Sequence, residues 1–334
     1  MKPDKKYISI RDNKTKIISL LDELVLKPRI QALKWSKITK QTPNLKIGYP
    51  GQHLASLITG IEGTRTGARG DDLIDGTEVK SCSRVDQLDK CLNCGRKVLR
   101  IENKCPHCGS TDIKRMNDSK WLFSIKSEEE LKLLTEGINR IFLTIADYPF
   151  FEENDFNTIR FQAFEIWNNE KRHLHFKELM SNYYHKIFLK HIERNPNKTP
   201  APKNFWPYSY QFYLCNPVKV FESIITNANT RPEIKITWYV EPEYDRSLLP
   251  SELMPTKLLN LKEINALIQN APEYVVSSQL QYGTYEDLIR NIKDKKEIVK
   301  RLPYINEDLR QYLTLRDTDK ISEAKIKYSR RSEN

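Results

Sequence analysis

Four carboxylates fall within eight residues of the segment Gly70-Asp71-Asp72-Leu73-Ile74-Asp75-Gly76-Thr77-Glu78-Val79-Lys80-Ser81, and a lysine stands beside the last of them. Acidic side chains this close repel one another unless a cation neutralises them, and their hard oxygens suit Mg²⁺. A Mg²⁺ held there would bind a phosphate ester and lower the pKa of an attacking water. Lys80 would orient that water or stabilise the charge that develops during attack. Asp71, Asp72 and Glu78 are thus candidate ligands and Lys80 a candidate catalytic group. The competing reading is an ordinary Asp75-Gly76 turn beside a solvated charged surface, because short charged patterns recur by chance.

A second constellation follows, Cys91-x2-Cys94-x10-Cys105-x2-Cys108. Glycine follows the second cysteine of each pair (Gly95 and Gly109), permitting the tight turn of a thiolate knuckle. Four soft thiolates favour tetrahedral Zn²⁺, with an iron–sulfur cluster as the competing occupant. Such a set leaves no open coordination position, so its metal would be structural. Arg84, Lys90, Arg96, Lys97, Arg100, Lys104, Lys114 and Arg115 surround the cysteines. They would let the ribbon touch a polyanion, or the ribbon is a purely structural insertion. His107 is expected to point outward, and Cys82 and Cys215 to be small packed side chains.

The elements that must present the acids are short. Pro50 opens a helical pattern with Leu54, Leu57, Ile58 and Ile61 on one side, ending before Gly63. Residues 72–83 read as a hairpin turning at Asp75-Gly76, in which Glu78 and Lys80 share a face and Val79 points into the core. Arg65 and Arg69 flank Gly67 just before the acids, where they could clamp a phosphate or pair with Asp71 or Asp75.

This stretch resembles the PD-(D/E)XK nuclease superfamily, and the chain looks most like a type II restriction endonuclease of that fold. The first metal-binding Asp of the motif matches Asp72, with Asp71 as the alternative; the second acid matches Glu78 and the catalytic lysine Lys80. Glu62 matches the outer ligand that the preceding helix supplies in many relatives. Gly70 or Asp71 stands where the motif has Pro, and the gap to Glu78 is short; the match covers roughly residues 50 to 81. The resemblance implies an α/β core with a central mixed sheet flanked by helices, into which a four-cysteine zinc ribbon is inserted. It also implies Mg²⁺-dependent, site-specific hydrolysis of double-stranded DNA by direct water attack, leaving 5′-phosphates. Arg65, Arg69, Arg84 and Lys97 are candidate DNA contacts. One centre per chain implies a homodimer, and a cognate DNA methyltransferase is expected as a functional rather than a physical partner. The alternatives are a repair or strand-nicking endonuclease and a non-enzymatic zinc-ribbon DNA-binding regulator with an inert acidic cluster.

The rest of the chain fits an α/β reading. A helical spacing over 13–40 is interrupted near Pro28, and Trp121–Ile125, Ile159–Trp167 and Lys235–Val240 are strand candidates. The capping box Ser127-x-x-Glu130 predicts a helix over about 128–142, and further helices are expected at 173–192, 261–270 and 284–301. His173 and His175, two apart, are read as surface or core residues with ordinary hydrogen bonds. The aromatic cluster 205–213 suits packing better than base stacking. Expected boundaries are a basic helical region at 1–49 and a nuclease core at 50–195 with its ribbon at 88–112. An elaboration for DNA contact and dimerisation follows at 196–316, then a polar tail at 317–334. Of 334 residues 55 are Lys or Arg and 44 Asp or Glu, a net +11, which favours a polyanionic partner. Residues 1–50 alone carry 12 basic and 4 acidic side chains. No long apolar run or signal-like segment is present, so a cytoplasmic, soluble protein is expected, and the paired cysteines suit a bound metal in a reducing compartment.

Overall fold

The computed structural model describes residues 1–316 apart from Asn44 and residues 66–70. Arg69 and the polar tail lie outside the described residues. The chain forms two compact units that interleave along the sequence: Met1–Trp121, Ile138–Glu165 and Lys219–Arg246 build the first, and Leu122–Gly137, Ile166–Val218 and the chain from Ser247 the second. The strands are β1 (Thr77–Ser83), β2 (Asp89–Cys91), β3 (Lys97–Val98), β4 (Ile113–Lys114), β5 (Trp121–Phe123), β6 (Arg140–Asp147), β7 (Ile159–Trp167), β8 (Lys203–Phe205), β9 (Val218–Thr226) and β10 (Glu233–Tyr239), with a two-residue pair formed by Met254–Pro255 and Tyr304–Ile305.

The first unit is built on a five-stranded sheet in the order β1-β6-β7-β9-β10. β1 runs parallel to β6, with Val79 opposite Phe142 and Lys80 opposite Leu143, whereas β9 and β10 are antiparallel, so the sheet is mixed. Every residue of β6 is buried. Such a strand lacks the alternation that a half-solvated strand shows, and its apolar run reads like a buried helix. The helix expected over 128–142 is corrected accordingly: Glu128–Lys132 is α-helical, a π turn spans Leu133–Gly137, and Arg140 already belongs to the sheet. Likewise residues 219–246, read from sequence as part of a C-terminal elaboration, supply β9 and β10 to the central sheet.

Helices α1 (Asn13–Leu20) and α2 (Lys27–Thr39) are joined without a break by a π turn at Leu21–Leu26. Pro28 does not end the run; it lies directly after the π turn, where the regular i→i−4 ladder is already interrupted. The basic face of α2 is only partly free: Arg29 is buried, its Nε donating to Asp86 Oδ2 at 2.7 Å and its Nη1 to the Ala228 carbonyl at 2.8 Å. Helix α3 (Gly48–Thr59) buries Leu54, Ala55 and Ile58 and packs on β1. It comes closest at Gly51, where a Cβ would run into Ser81 Oγ and lie 2.9 Å from Thr144 Oγ1.

The second unit has a buried aromatic centre in which the Phe123, Phe176 and Phe205 rings lie 5.4 to 6.0 Å apart, edge to face. Ser209 caps the helix Tyr210–Leu214, and Gln211 accepts from Lys203 Nζ at 3.1 Å. His173 is buried, with the Trp167 N–H donating to Nδ1 at 2.8 Å, and burial pulls its pKa down to about 4. Among the described residues no helix is long and apolar enough to cross a membrane.

Candidate active site

A tight turn brings the acids together. The N–H groups of Asp72 and Leu73 both donate to the Thr77 carbonyl, at 2.8 and 3.1 Å, and Gly76 closes the turn at φ +83°, a conformation that glycine adopts without cost. Asp75 is taken up in holding that turn: Arg140 Nη2 donates to its Oδ2 at 2.8 Å and Asn139 Nδ2 to its carbonyl at 2.9 Å. Arg140 is itself buried, with further bonds to Thr77 Oγ1 at 3.0 Å and to the fully buried Glu165 at 3.0 Å. Removing one member would leave buried charges uncompensated, so the network pins the start of β1.

Beyond the turn, β1 alternates as its period requires. Thr77 and Val79 are buried, and Glu78 and Lys80 share the other face, where Lys80 Nζ pairs with Glu78 Oε1. Their side chains are 13% and 29% exposed, Lys80 being the more open to solvent. Asp72 is tied to the same strand, its Oδ2 accepting the Val79 N–H at 2.7 Å, while its Oδ1 accepts from Gln52 Nε2 at 2.6 Å. Its carboxylate therefore lies against the backbone between Glu78 and Lys80. Asp71 makes no such bond to the strand; its carbonyl accepts from Thr64 Oγ1 at 2.9 Å.

The electrostatics are those of a centre short of positive charge. Burial pushes the Glu78 carboxyl above its ordinary range, Lys80 opposes that, and the charges of Asp72 and Asp71 add to it. Burial also raises Asp71, reinforced by Asp75 and Asp72. Two half-buried carboxylates and one lysine fit a hard divalent ion that retains several waters, as Mg²⁺ does.

The other expected residues are distributed unequally. Glu62 is exposed and accepts from Ser9 Oγ at 3.0 Å, and its carbonyl accepts the Ile74 N–H at 3.1 Å. The side chain that α3 sends to the acids is Gln52, which sequence reasoning missed. Arg65 is exposed and follows Thr64, whose N–H donates to the Asp72 carbonyl at 3.1 Å. Arg84 is buried, and its Nε donates to the Ser119 carbonyl at 3.3 Å. Lys97 is exposed.

The four cysteines do converge. Their sulfurs all lie within 4.8 Å of one another, with Cys91 and Cys108 at 3.6 Å and Cys94 and Cys105 at 3.6 Å, a set able to coordinate a metal ion. Each knuckle is closed by a glycine N–H, Gly95 to Cys91 O at 3.0 Å and Gly109 to Cys105 O at 2.9 Å, with φ of +74° and +72°. The Ser110 N–H pulls Cys108 down to about 6. At Cys94 the Arg96 N–H favours the thiolate, but desolvation and the three other sulfurs outweigh it and push the thiol up to about 12. Four thiolates so close need a cation, and Zn²⁺ suits them. His107 points away and meets Arg96 Nη1 at 2.9 Å. Two of the surrounding arginines face inward: Arg100 and Arg115 converge on the buried Asp89 at 2.9 and 2.8 Å, and Arg100 also lies over the Phe156 ring at 4.7 Å.

A family model described as MamI restriction endonuclease matches residues 34–257. The type II restriction enzyme MamI of Microbacterium ammoniaphilum is 37% identical over 57 residues, a stretch that covers 17% of this chain and 18% of that enzyme. No solved structure matches the chain.

Proposed function

The chain belongs to the MamI restriction endonuclease family, and from that premise we propose that it is a type II restriction endonuclease that hydrolyses double-stranded DNA at specific sites, leaving 5′-phosphates, through a PD-(D/E)XK centre made of Asp72, Glu78 and Lys80. The observation that carries the reading is the convergence of these side chains on one strand: Asp72 bonded to the Val79 N–H, and Glu78 paired with Lys80 on either side of that residue. Asp72 and Glu78 would hold Mg²⁺. When bound, the ion would acidify the attacking water and neutralise charge on the scissile phosphate.

The remaining work belongs to the chain itself. Glu78 holds the Lys80 ammonium at the centre, where it would orient the water and offset charge on the phosphoryl oxygens during attack. Gln52 fixes the Asp72 carboxylate from α3, so that one oxygen is oriented by a helix and the other by the strand. The Arg140–Asp75 pair keeps the turn from drifting. Zn²⁺ in the four-cysteine set would serve structure alone.

Unmethylated genomic DNA incubated with the purified protein and Mg²⁺, followed by sequencing of the fragment ends, tests the proposal. Fixed end sequences are expected, with ends that accept a label only after phosphatase treatment. Lys80→Ala and Asp72→Asn proteins should bind DNA without cutting it. Stable nicked circles from a supercoiled plasmid would indicate a strand-nicking enzyme instead. Gel shifts without any cutting would indicate a DNA-binding regulator.

A further inference from the structure

The four-cysteine ribbon carries a charge pattern that metal coordination does not require. Its sheet runs in the order β3-β2-β4, and its register sets Lys90 directly opposite Lys97 on one side and Lys114 on the other. Neighbouring strands lie about 4.7–4.9 Å apart, so three ammonium groups stand in a row whose outer backbone positions are about 10 Å apart. The faces are sharply divided. Cys91 and Val98 are buried with the sulfurs and Asp89 is buried as well, whereas Lys90, Lys97 and Lys114 are all exposed. Like charges directly opposite one another on a sheet are destabilising. Among the described residues none of the three lysines has an acidic partner, and Asp112, two residues from Lys114, forms no ion pair with it.

We infer that this row of lysines is a rail that grips the phosphate backbone of duplex DNA. The inference rests on the DNA-cutting reading and goes beyond it by assigning the ribbon's outward face to backbone contact. Lysine is a flexible point charge, suited to phosphates and poorly suited to the planar, bidentate reading of bases. The rail should therefore contribute affinity and orientation without contributing sequence preference. Arg100 and Arg115 both close on the buried Asp89, next to Lys90 in the chain, and so anchor the strand that carries the central lysine.

The test is the salt dependence of binding by the full chain to a labelled duplex, with divalent metal omitted so that no strand is cut. Each phosphate contact contributes about 0.9 to the slope of log affinity against log salt concentration. A K90Q/K97Q/K114Q protein should bind more weakly, with a slope shallower by roughly 2 to 3, and to the same degree on duplexes of different sequence. The triple Lys→Arg protein should keep the wild-type slope. Zinc content reports whether the ribbon is intact; if the triple Gln protein loses its metal, the three single variants decide, each expected to lower the slope by about 0.9. An unchanged slope in a zinc-loaded Gln variant overturns the rail and leaves the nuclease reading standing. Wild-type protein that binds no duplex at all overturns the nuclease reading, and the rail with it.

Discussion

At the scale of single residues, the proposed centre is made of groups whose charges are costly in the absence of a cation. Burial holds the Glu78 carboxyl above its ordinary value, so between that value and the raised one the folded chain binds more protons than the unfolded chain does. Stability of the metal-free protein therefore falls as pH rises through this window and stays lowered at pH 7. Glu78→Gln should melt at a higher temperature than wild type at pH 7 without metal, the difference closing below about pH 4. Added Mg²⁺ should stabilise wild type and leave the variant unmoved, because only the wild type retains both ligands. Metal-free melting curves in which Glu78→Gln is the less stable protein would contradict this account of the site. Gln52 is a different case. Its amide hydrogen-bonds Asp72, so Gln52→Ala should leave DNA binding intact and slow cleavage roughly 10- to 100-fold through misplacement of one carboxylate, a loss partly recovered at higher Mg²⁺ concentration. The motif residues were legible in the sequence because they lie within nine positions of each other. Gln52 was not, since a neutral side chain that meets its partner 20 residues on leaves no local pattern.

At the scale of elements, position is set by how closely α3 lies on β1. Gly51 allows the approach, Ser81 and Thr144 hydroxyls bond across its footprint at 2.8 Å, and Gln52 follows it directly in the chain. Gly51→Ala should push the helix outward, carrying Gln52 from Asp72, and so lower both melting temperature and cleavage rate. Overpacking of this kind costs about 1–3 kcal/mol. Adding Ser81→Gly removes the obstructing hydroxymethyl group and should restore part of the rate; a double variant as slow as the single would place the defect elsewhere. The turn into β1, α3 and the two cysteine knuckles were readable, because each has a glycine, proline or alternation that marks its ends, whereas the hairpin expected over 72–83 is only a single bridge between Leu73 and Thr77, and β1 pairs with β6 instead. β6 was misread in part as helix for the opposite reason: it is buried on both faces, and neither period survives in its sequence.

At the scale of the whole molecule, the sequence hid how the chain is shared between two units. β9 and β10 return to the first unit's sheet from beyond residue 218, and no composition shift announces a pairing between segments so far apart. The functional consequence concerns stoichiometry. Each chain carries one Asp72–Glu78–Lys80 set, and one centre can attack one strand at a time, so the proposed double-strand cut is expected to come from two copies acting on a two-fold site. Mixing tests this directly. When wild-type chains are refolded or co-expressed with an excess of Lys80→Ala chains, most assemblies that contain an active centre contain only one. A supercoiled plasmid should then accumulate as nicked circles, whereas wild type alone should yield linear DNA with little nicked intermediate. If the mixture still gives linear product in proportion to its wild-type content, each chain cuts both strands unaided, and the dimer is not the active unit.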